Sequence, residues 1–206
     1  MFYNCKVLTK PPVISTKFIG NNACEEMFAN CTSLTVTPTL YITNGWDPVS
    51  NSNSPGCRRM FYKCTALTKA ILRVEHTMGY MYYEMFCDCT ALSDISQVQL
   101  NEVKLSGSGV SYKYSYCYAY MFKNCKSLKT APALPATTLA ESCYKGMFYG
   151  CTNLTKGPSL PATTLMAYCY DNMFYGTKVI PDCSNINFSS SVGLKGLFAG
   201  TQITDA

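Results

Sequence analysis

The apolar positions of this chain recur as one repeated pattern. A Met-Phe pair stands at Met1, Met27, Met60, Met85, Met121, Met147 and Met173, and Leu197-Phe198 is a degenerate eighth copy. The steps between copies are 26, 33, 25, 36, 26, 26 and 24 residues. In six copies a cysteine follows the methionine by four residues and a leucine follows it by seven. Self-similarity at this period predicts a solenoid, in which each copy is one coil that buries its apolar side against its neighbours. In the most regular region Leu139, Cys143, Met147 and Cys151 fall at i, i+4, i+8 and i+12, with Phe148 beside them. That spacing predicts a short amphipathic helix against a core.

The residue before the motif cysteine predicts how each turn ends. It is Asn4, Asn30, Lys63, Asp88, Asn124, Gly150, Gly176 and Gly200 in the eight copies. All but Lys63 are types that accept positive φ, so a left-handed cap is expected there. Beyond the cap Leu8, Leu34, Leu67, Leu92, Leu128 and Leu154 open a short extended segment, such as Leu128 to Ala131. Segments of this kind can pair only with their neighbours in adjacent coils, which gives a parallel ladder. Pro12, Pro38, Pro132 and Pro158 should stop the strands, because proline cannot donate to a ladder. Identical LPATTL runs at 134–139 and 160–165 then turn the chain back.

The MFxxCxxL and LPATTL pattern resembles the BspA-like leucine-rich-repeat proteins, a class of bacterial surface proteins, and the likeness covers essentially the whole chain. The resemblance implies one solenoid over residues 1–206, of about eight coils, with short parallel strands in a ladder on one side and short helical turns on the other. It also implies a cell-surface or secreted location and adhesion to protein partners. The last two copies depart from the pattern. Thr177 and Thr201 replace the cysteine, and Val179 and Ile203 take the leucine's place.

Composition narrows the alternatives. Hydrophobic residues make up 48% and charged residues only 14%, which fits coils that bury two faces and argues against disorder. The chain has no apolar run of about 18 residues, so no membrane span is expected. Met1 already belongs to a repeat, so the sequence is read as either a mature product or an internal piece of a longer chain.

Thirteen cysteines invite a disulfide or zinc reading, but their register argues otherwise. Cys5, Cys31, Cys64, Cys89, Cys125 and Cys151 share one repeat position, and Cys117, Cys143 and Cys169 share another. Stacked at strand spacing, their Cβ vectors run parallel, which suits a disulfide poorly. Together with Met27, Met60, Met85, Met121, Met147 and Met173 they are expected to form a reduced structural core ladder, with disulfides and a metal site as alternatives. The zinc case rests on Cys87, Cys89 and His76, the single histidine, without the paired spacing such a site needs. Cys87 stands off both ladders, which makes it a candidate reactive thiol or simply a half-buried spare cysteine.

Two stretches break the period. Residues 41–56 are rich in turn chemistry and hold the single Trp46, and residues near 95–111 end in Ser-Gly-Ser-Gly. Insertions in repeat proteins project as loops, often on the binding face. Between them Arg58, Arg59 and Arg73 are all the arginines of the chain. With a net charge of +5 an anionic partner has to be considered, but no nucleic-acid motif accompanies them. Tyrosines collect on either side of the second insertion, and Tyr82, Tyr118, Tyr144 and Tyr170 share one register. Candidate ligand contacts are Trp46, Arg58, Arg59, Tyr82 and Tyr114, for protein or glycan surfaces.

Nothing in the chain assembles a base, nucleophile or cofactor motif, so no catalytic residue, metal or cofactor is assigned and the expected class is not an enzyme. A binding and adhesion module is the leading reading. The alternative is a structural subunit that associates head-to-tail into a filament, because both ends of the chain open on ordinary repeat residues.

Overall fold

The structure, a computed structural model, describes residues 1–14, 22–42, 56–75, 77–101, 114–179, 181–186 and 193–201. Trp46, His76, and residues 43–55 and 102–111 of the two expected insertions lie outside them.

Backbone hydrogen bonds join each Met-Phe copy to the one that follows it. The Phe2 N–H donates to the Met27 carbonyl at 2.9 Å, Phe28 to Met60 at 2.9 Å, and Phe61 to Met85 at 2.9 Å. The series continues with Phe86 to Met121 at 2.9 Å, Phe122 to Met147 at 3.0 Å, Phe148 to Met173 at 3.0 Å and Phe174 to Leu197 at 3.2 Å. Within a copy, alternate residues donate in two directions. Ser142, Tyr144, Gly146, Phe148 and Gly150 donate to carbonyls of the next copy. The intervening Cys143, Lys145, Met147, Tyr149 and Cys151 donate to carbonyls three residues back in their own copy.

This corrects the helical expectation. The described residues contain no α-helix; each Met-Phe segment is a train of linked turns. The cause is a left-handed residue at every fourth position: Ser142 (φ 55°), Gly146 (φ 56°) and Gly150 (φ 72°) in this copy. Each such residue turns the chain out of the right-handed helical path and aims the following peptide along the stacking direction. The period is therefore four, not 3.6. Two side chains enter the core (Cys143 and Tyr144, then Met147 and Phe148), and the pairs between them lie on the other side. The expected cap is the last of these residues. All eight residues before the motif cysteine or threonine have φ between 58° and 72°, Lys63 included.

The inward pairs build ladders. Phe2, Phe28, Phe61, Phe86, Phe122, Phe148, Phe174 and Phe198 stack neighbour on neighbour, with ring centroids 5.3 to 6.5 Å apart. Tyr82, Tyr118, Tyr144 and Tyr170 stack at 5.4 to 6.1 Å. Met60, Met85, Met121, Met147 and Met173 are buried; Met27 is half-buried. Cys31, Cys64, Cys89, Cys125 and Cys151 are fully buried free thiols, and Cys5 is half-buried. Each buried motif thiol donates to a phenylalanine carbonyl of the preceding copy: Cys31 to Phe2 at 3.0 Å, Cys64 to Phe28 at 3.0 Å, Cys89 to Phe61 at 3.0 Å, Cys125 to Phe86 at 3.2 Å and Cys151 to Phe122 at 2.9 Å. Where threonine replaces cysteine the shorter hydroxyl turns back on its own copy, Thr177 to Phe174 at 2.8 Å and Thr201 to Phe198 at 2.8 Å. The longer thiol therefore gives a link between copies that the hydroxyl does not.

On the far side the chain forms β1 (Leu40–Ile42), β2 (Lys69–Val74) and β3 (Asp94–Gln99), a parallel sheet in that order. Leu40 pairs with Leu72, and Leu72 with Val98. The start of the stretch read as a second insertion is thus a strand. Copies that carry Pro132 or Pro158 make only isolated parallel bridges, such as Thr130 to Lys156, because proline removes the next donor. Pro38 corrects the expectation that each proline ends the strand: Val36 bridges Lys69 before it, and the pairing resumes beyond it as β1. The two LPATTL runs lie side by side through a parallel bridge from Thr138 to Thr164. No helix of the described residues is long and apolar enough to cross a membrane.

Candidate functional site

The outward positions of the turn segments carry the chain's surface chemistry, because stacking places equivalent residues in rows. Five residues before the motif cysteine or threonine the row reads Glu26, Arg59, Glu84, Tyr120, Gly146, Asn172 and Gly196. Six before, it reads Glu25, Arg58, Tyr83, Ala119, Lys145, Asp171 and Lys195.

In the early copies these rows alternate in charge. The Arg59 Nε donates to Glu84 at 2.5 Å and its Nη1 lies 3.7 Å from Glu26. Arg58 is 3.5 Å from Glu25 and its guanidinium lies 5.7 Å from the Tyr83 ring centroid. Arg73 meets Glu75 at 3.4 Å. All three arginines are therefore held by carboxylates, and the expected basic patch is largely neutralised. Such half-exposed pairs favour correct register between copies more than they add stability.

The later copies are different. The Lys123 ammonium lies 5.4 Å from the Tyr120 ring centroid and 5.5 Å from that of Tyr149. Lys145 lies 5.3 Å from Tyr168. Among the described residues neither lysine forms an ion pair with a carboxylate. Tyr149 stacks on Tyr175 at 4.6 Å, and Tyr80 on Tyr116 at 4.9 Å. Tyr80, Tyr168 and Tyr175 are 39%, 49% and 38% exposed. Burial raises the phenols of Tyr80 and Tyr120, and burial followed by the Glu84 carboxylate pushes Tyr83 up to about 12. These hydroxyls stay protonated at neutral pH and can donate. The Tyr120 ring rests over Gly146, where a Cβ would collide with it. Large residues of one copy thus lean on small ones of the next.

The sequence-derived contacts fare unequally. Arg58 and Arg59 lie on this surface, but paired. Tyr82 does not, and this is a correction: its ring is buried in the tyrosine ladder against Tyr118, since its register points inward. Tyr114 is half-buried against the core, and Trp46 lies outside the described residues. Cys87 is buried at 3% exposure, and its thiol is pushed up by burial first and then by Asp88 and Glu84. Cys87 is thus more deeply buried than the half-buried spare cysteine expected of it, and its thiol is not placed as the alternative, a reactive one, would be. The described residues hold no group of three His, Cys, Asp or Glu side chains that could bind a metal. Lys123, Lys145, Tyr149, Tyr168 and Tyr175 were missed by the sequence reading, although the strict four-residue spacing assigns each of them to the outer side.

A further network sits inside. The Tyr118 hydroxyl lies 2.7 Å from Asn101 Oδ1 and 2.8 Å from Thr77 Oγ1, and Asn101 Nδ2 donates to the Glu75 carbonyl at 2.9 Å. The Tyr144 hydroxyl, one step along the same ladder, is buried with no such partner among the described residues.

Compared with family models, with curated proteins and with solved structures, the chain matches none.

Proposed function

We propose that the chain is a leucine-rich-repeat-type solenoid of the BspA-like kind and works as a non-enzymatic binding module, displayed at a cell surface and contacting protein or glycan ligands. The observation that carries this reading is the row of half-exposed tyrosines with unpaired lysines on the later copies. Tyrosine hydroxyls and lysine side chains offer hydrogen-bond donors, the rings at low entropic cost, on a scaffold whose backbone bonds fix their spacing. The phenylalanine ladder and the Tyr82, Tyr118, Tyr144 and Tyr170 ladder lie largely inside, which leaves the outer tyrosines and lysines to face solvent. The location rests on the resemblance of the repeats.

The test is a panel of immobilised matrix proteins and glycans probed with the wild type and two variants. Lys123→Ala with Tyr149→Ala and Tyr168→Ala should lower capture of any bound ligand at least about tenfold, equivalent to about 1.4 kcal/mol. Arg58→Ala with Arg59→Ala should change it little, with both melting curves within a few degrees of wild type. Binding that ignores the first variant and follows the second would overturn the site. Long polymers formed without ligand, seen by sedimentation, would favour a structural subunit instead.

A further inference from the structure

A simple rule repeats at three steps of the strand-side ladder, is half-kept between Thr9 and Thr35, and is absent at one step among the described residues. Thr68 and Lys69 N–H groups both donate to the Thr35 carbonyl, at 3.0 and 3.3 Å. Ser93 and Asp94 donate to Thr68 at 3.1 and 3.0 Å, and Thr155 and Lys156 donate to Lys129 at 3.1 and 3.0 Å. The step from β3 to Lys129 and Thr130 should be the same, yet among the described residues no backbone bond joins 93–99 to 129–133. The same two copies are fully bonded on the turn side, through Glu84 to Ala119 at 3.0 Å, Phe86 to Met121 at 2.9 Å and Asp88 to Lys123 at 2.8 Å. Ser127 still reaches Thr90 at 3.1 Å. The two copies are hinged together on one side and splayed on the other.

The splay opens a cleft of about 510 Å³. Asp94, Ile95, Ser96 and Val98 form one wall, and Thr130 and Pro132 belong to the other. That volume is in the range of about 300–1,000 Å³ typical of ligand sites. We infer that this cleft is a binding site for an extended peptide, which enters as an added strand parallel to β3.

Three observations commit it to a peptide strand. Parallel pairing is present on both flanks, as paired strands between β2 and β3 and as a single bridge between Thr130 and Lys156, so a parallel strand is what continues it. Pro132 has no N–H, so the opposite wall cannot supply the whole ladder itself. At the mouth Asp94 is already held by Lys69 at 3.1 Å, and Ile95, Val98 and Pro132 are buried, so the site favours small or apolar side chains at the inward positions of the added strand, as Ala70, Leu72 and Val74 supply in β2. An unpaired strand edge is a template for such an addition.

The test uses a fluorescent peptide copying Leu67 to Glu75, LTKAILRVE, because β2 is the strand of this chain that already pairs along both edges. Saturable binding by anisotropy is expected, with slower amide exchange at 94–98. N-methylation of alternate peptide nitrogens should weaken binding at least about tenfold, since affinity here comes from main-chain bonds. Ala131→Trp, which fills the cleft, should weaken it similarly while the melting curve is kept. The N-methylated probe leaves the protein unaltered, so misfolding cannot imitate the result. No saturable binding, or binding indifferent to both N-methylation and Ala131→Trp, would overturn the site.

Discussion

The copies around Arg59 and those around Tyr149 share a backbone but differ in what they show to solvent. Around Arg59 the outer rows alternate glutamate and arginine, and the copies continue into the strands β1 to β3. Around Tyr149 the same rows hold tyrosine, lysine and glycine, and the far side makes only isolated bridges. Turn-side bonds are nevertheless of nearly equal length in both, 2.9 Å from Phe61 to Met85 and 3.0 Å from Phe148 to Met173. The inward pairs and the left-handed residues therefore set the stacking, and the outward pairs are free to carry other chemistry.

The largest effect should ignore the difference between the regions. Phe61→Ala and Phe148→Ala each remove a fully buried ring stacked on two neighbours. Each should cost about 3–5 kcal/mol in urea unfolding. A cost at one site less than half that at the other would show that the core is not one continuous ladder.

A smaller effect should separate two adjacent rungs. Tyr118→Phe strips the partner from Thr77 and Asn101 and should destabilise by about 1–2 kcal/mol. Tyr144→Phe removes a buried hydroxyl without a partner and should be neutral or stabilise by up to about 1 kcal/mol. Equal losses in thermal unfolding would contradict the assignment of the network to Tyr118.

The smallest effect concerns the cap. Lys63 holds φ 58° where the Tyr149 copy has Gly150, and glycine adopts this conformation without the penalty of a Cβ. Lys63→Gly should raise stability by about 1 kcal/mol, the usual cost of a left-handed non-glycine residue. A fall in the melting temperature would mean that the Lys63 contact with the Tyr62 ring, at 5.1 Å, outweighs the strain.

Much of this is legible in the sequence. The period, the left-handed residue before each motif cysteine, the register of Tyr82 with Tyr118, Tyr144 and Tyr170, and the parallel pairing all follow from residue types at fixed offsets. The turn train was not read, for a definable reason. Four positions at strict i+4 spacing imitate a helical stripe, although a true helix drifts by about 40° every four residues. Ser142, Gly146 and Gly150, spaced by the same four, carried the contrary signal. The outer site was misplaced for another cause: Tyr82, three residues before Met85, falls on the inner face of a helix and of the turn train alike, and Tyr149 on the outer face of both, but ring chemistry was weighed ahead of register. The splayed step could not be read at all, since it depends on bonds that fail to form between copies.

The alternating donors of the turn segments have an electrical consequence. Every bond from Phe2 to Met27 through Phe174 to Leu197 has its N–H in the earlier copy and its C=O in the later one. Their peptide dipoles add in one sense, as they do along a helix, although the chain runs across this axis and not along it. The turn side thus forms a polar rail, with partial negative charge toward the earlier copies and partial positive charge toward the later ones. A reversed copy could not be spliced into it without facing donor to donor, so the direction of stacking is written into the backbone itself.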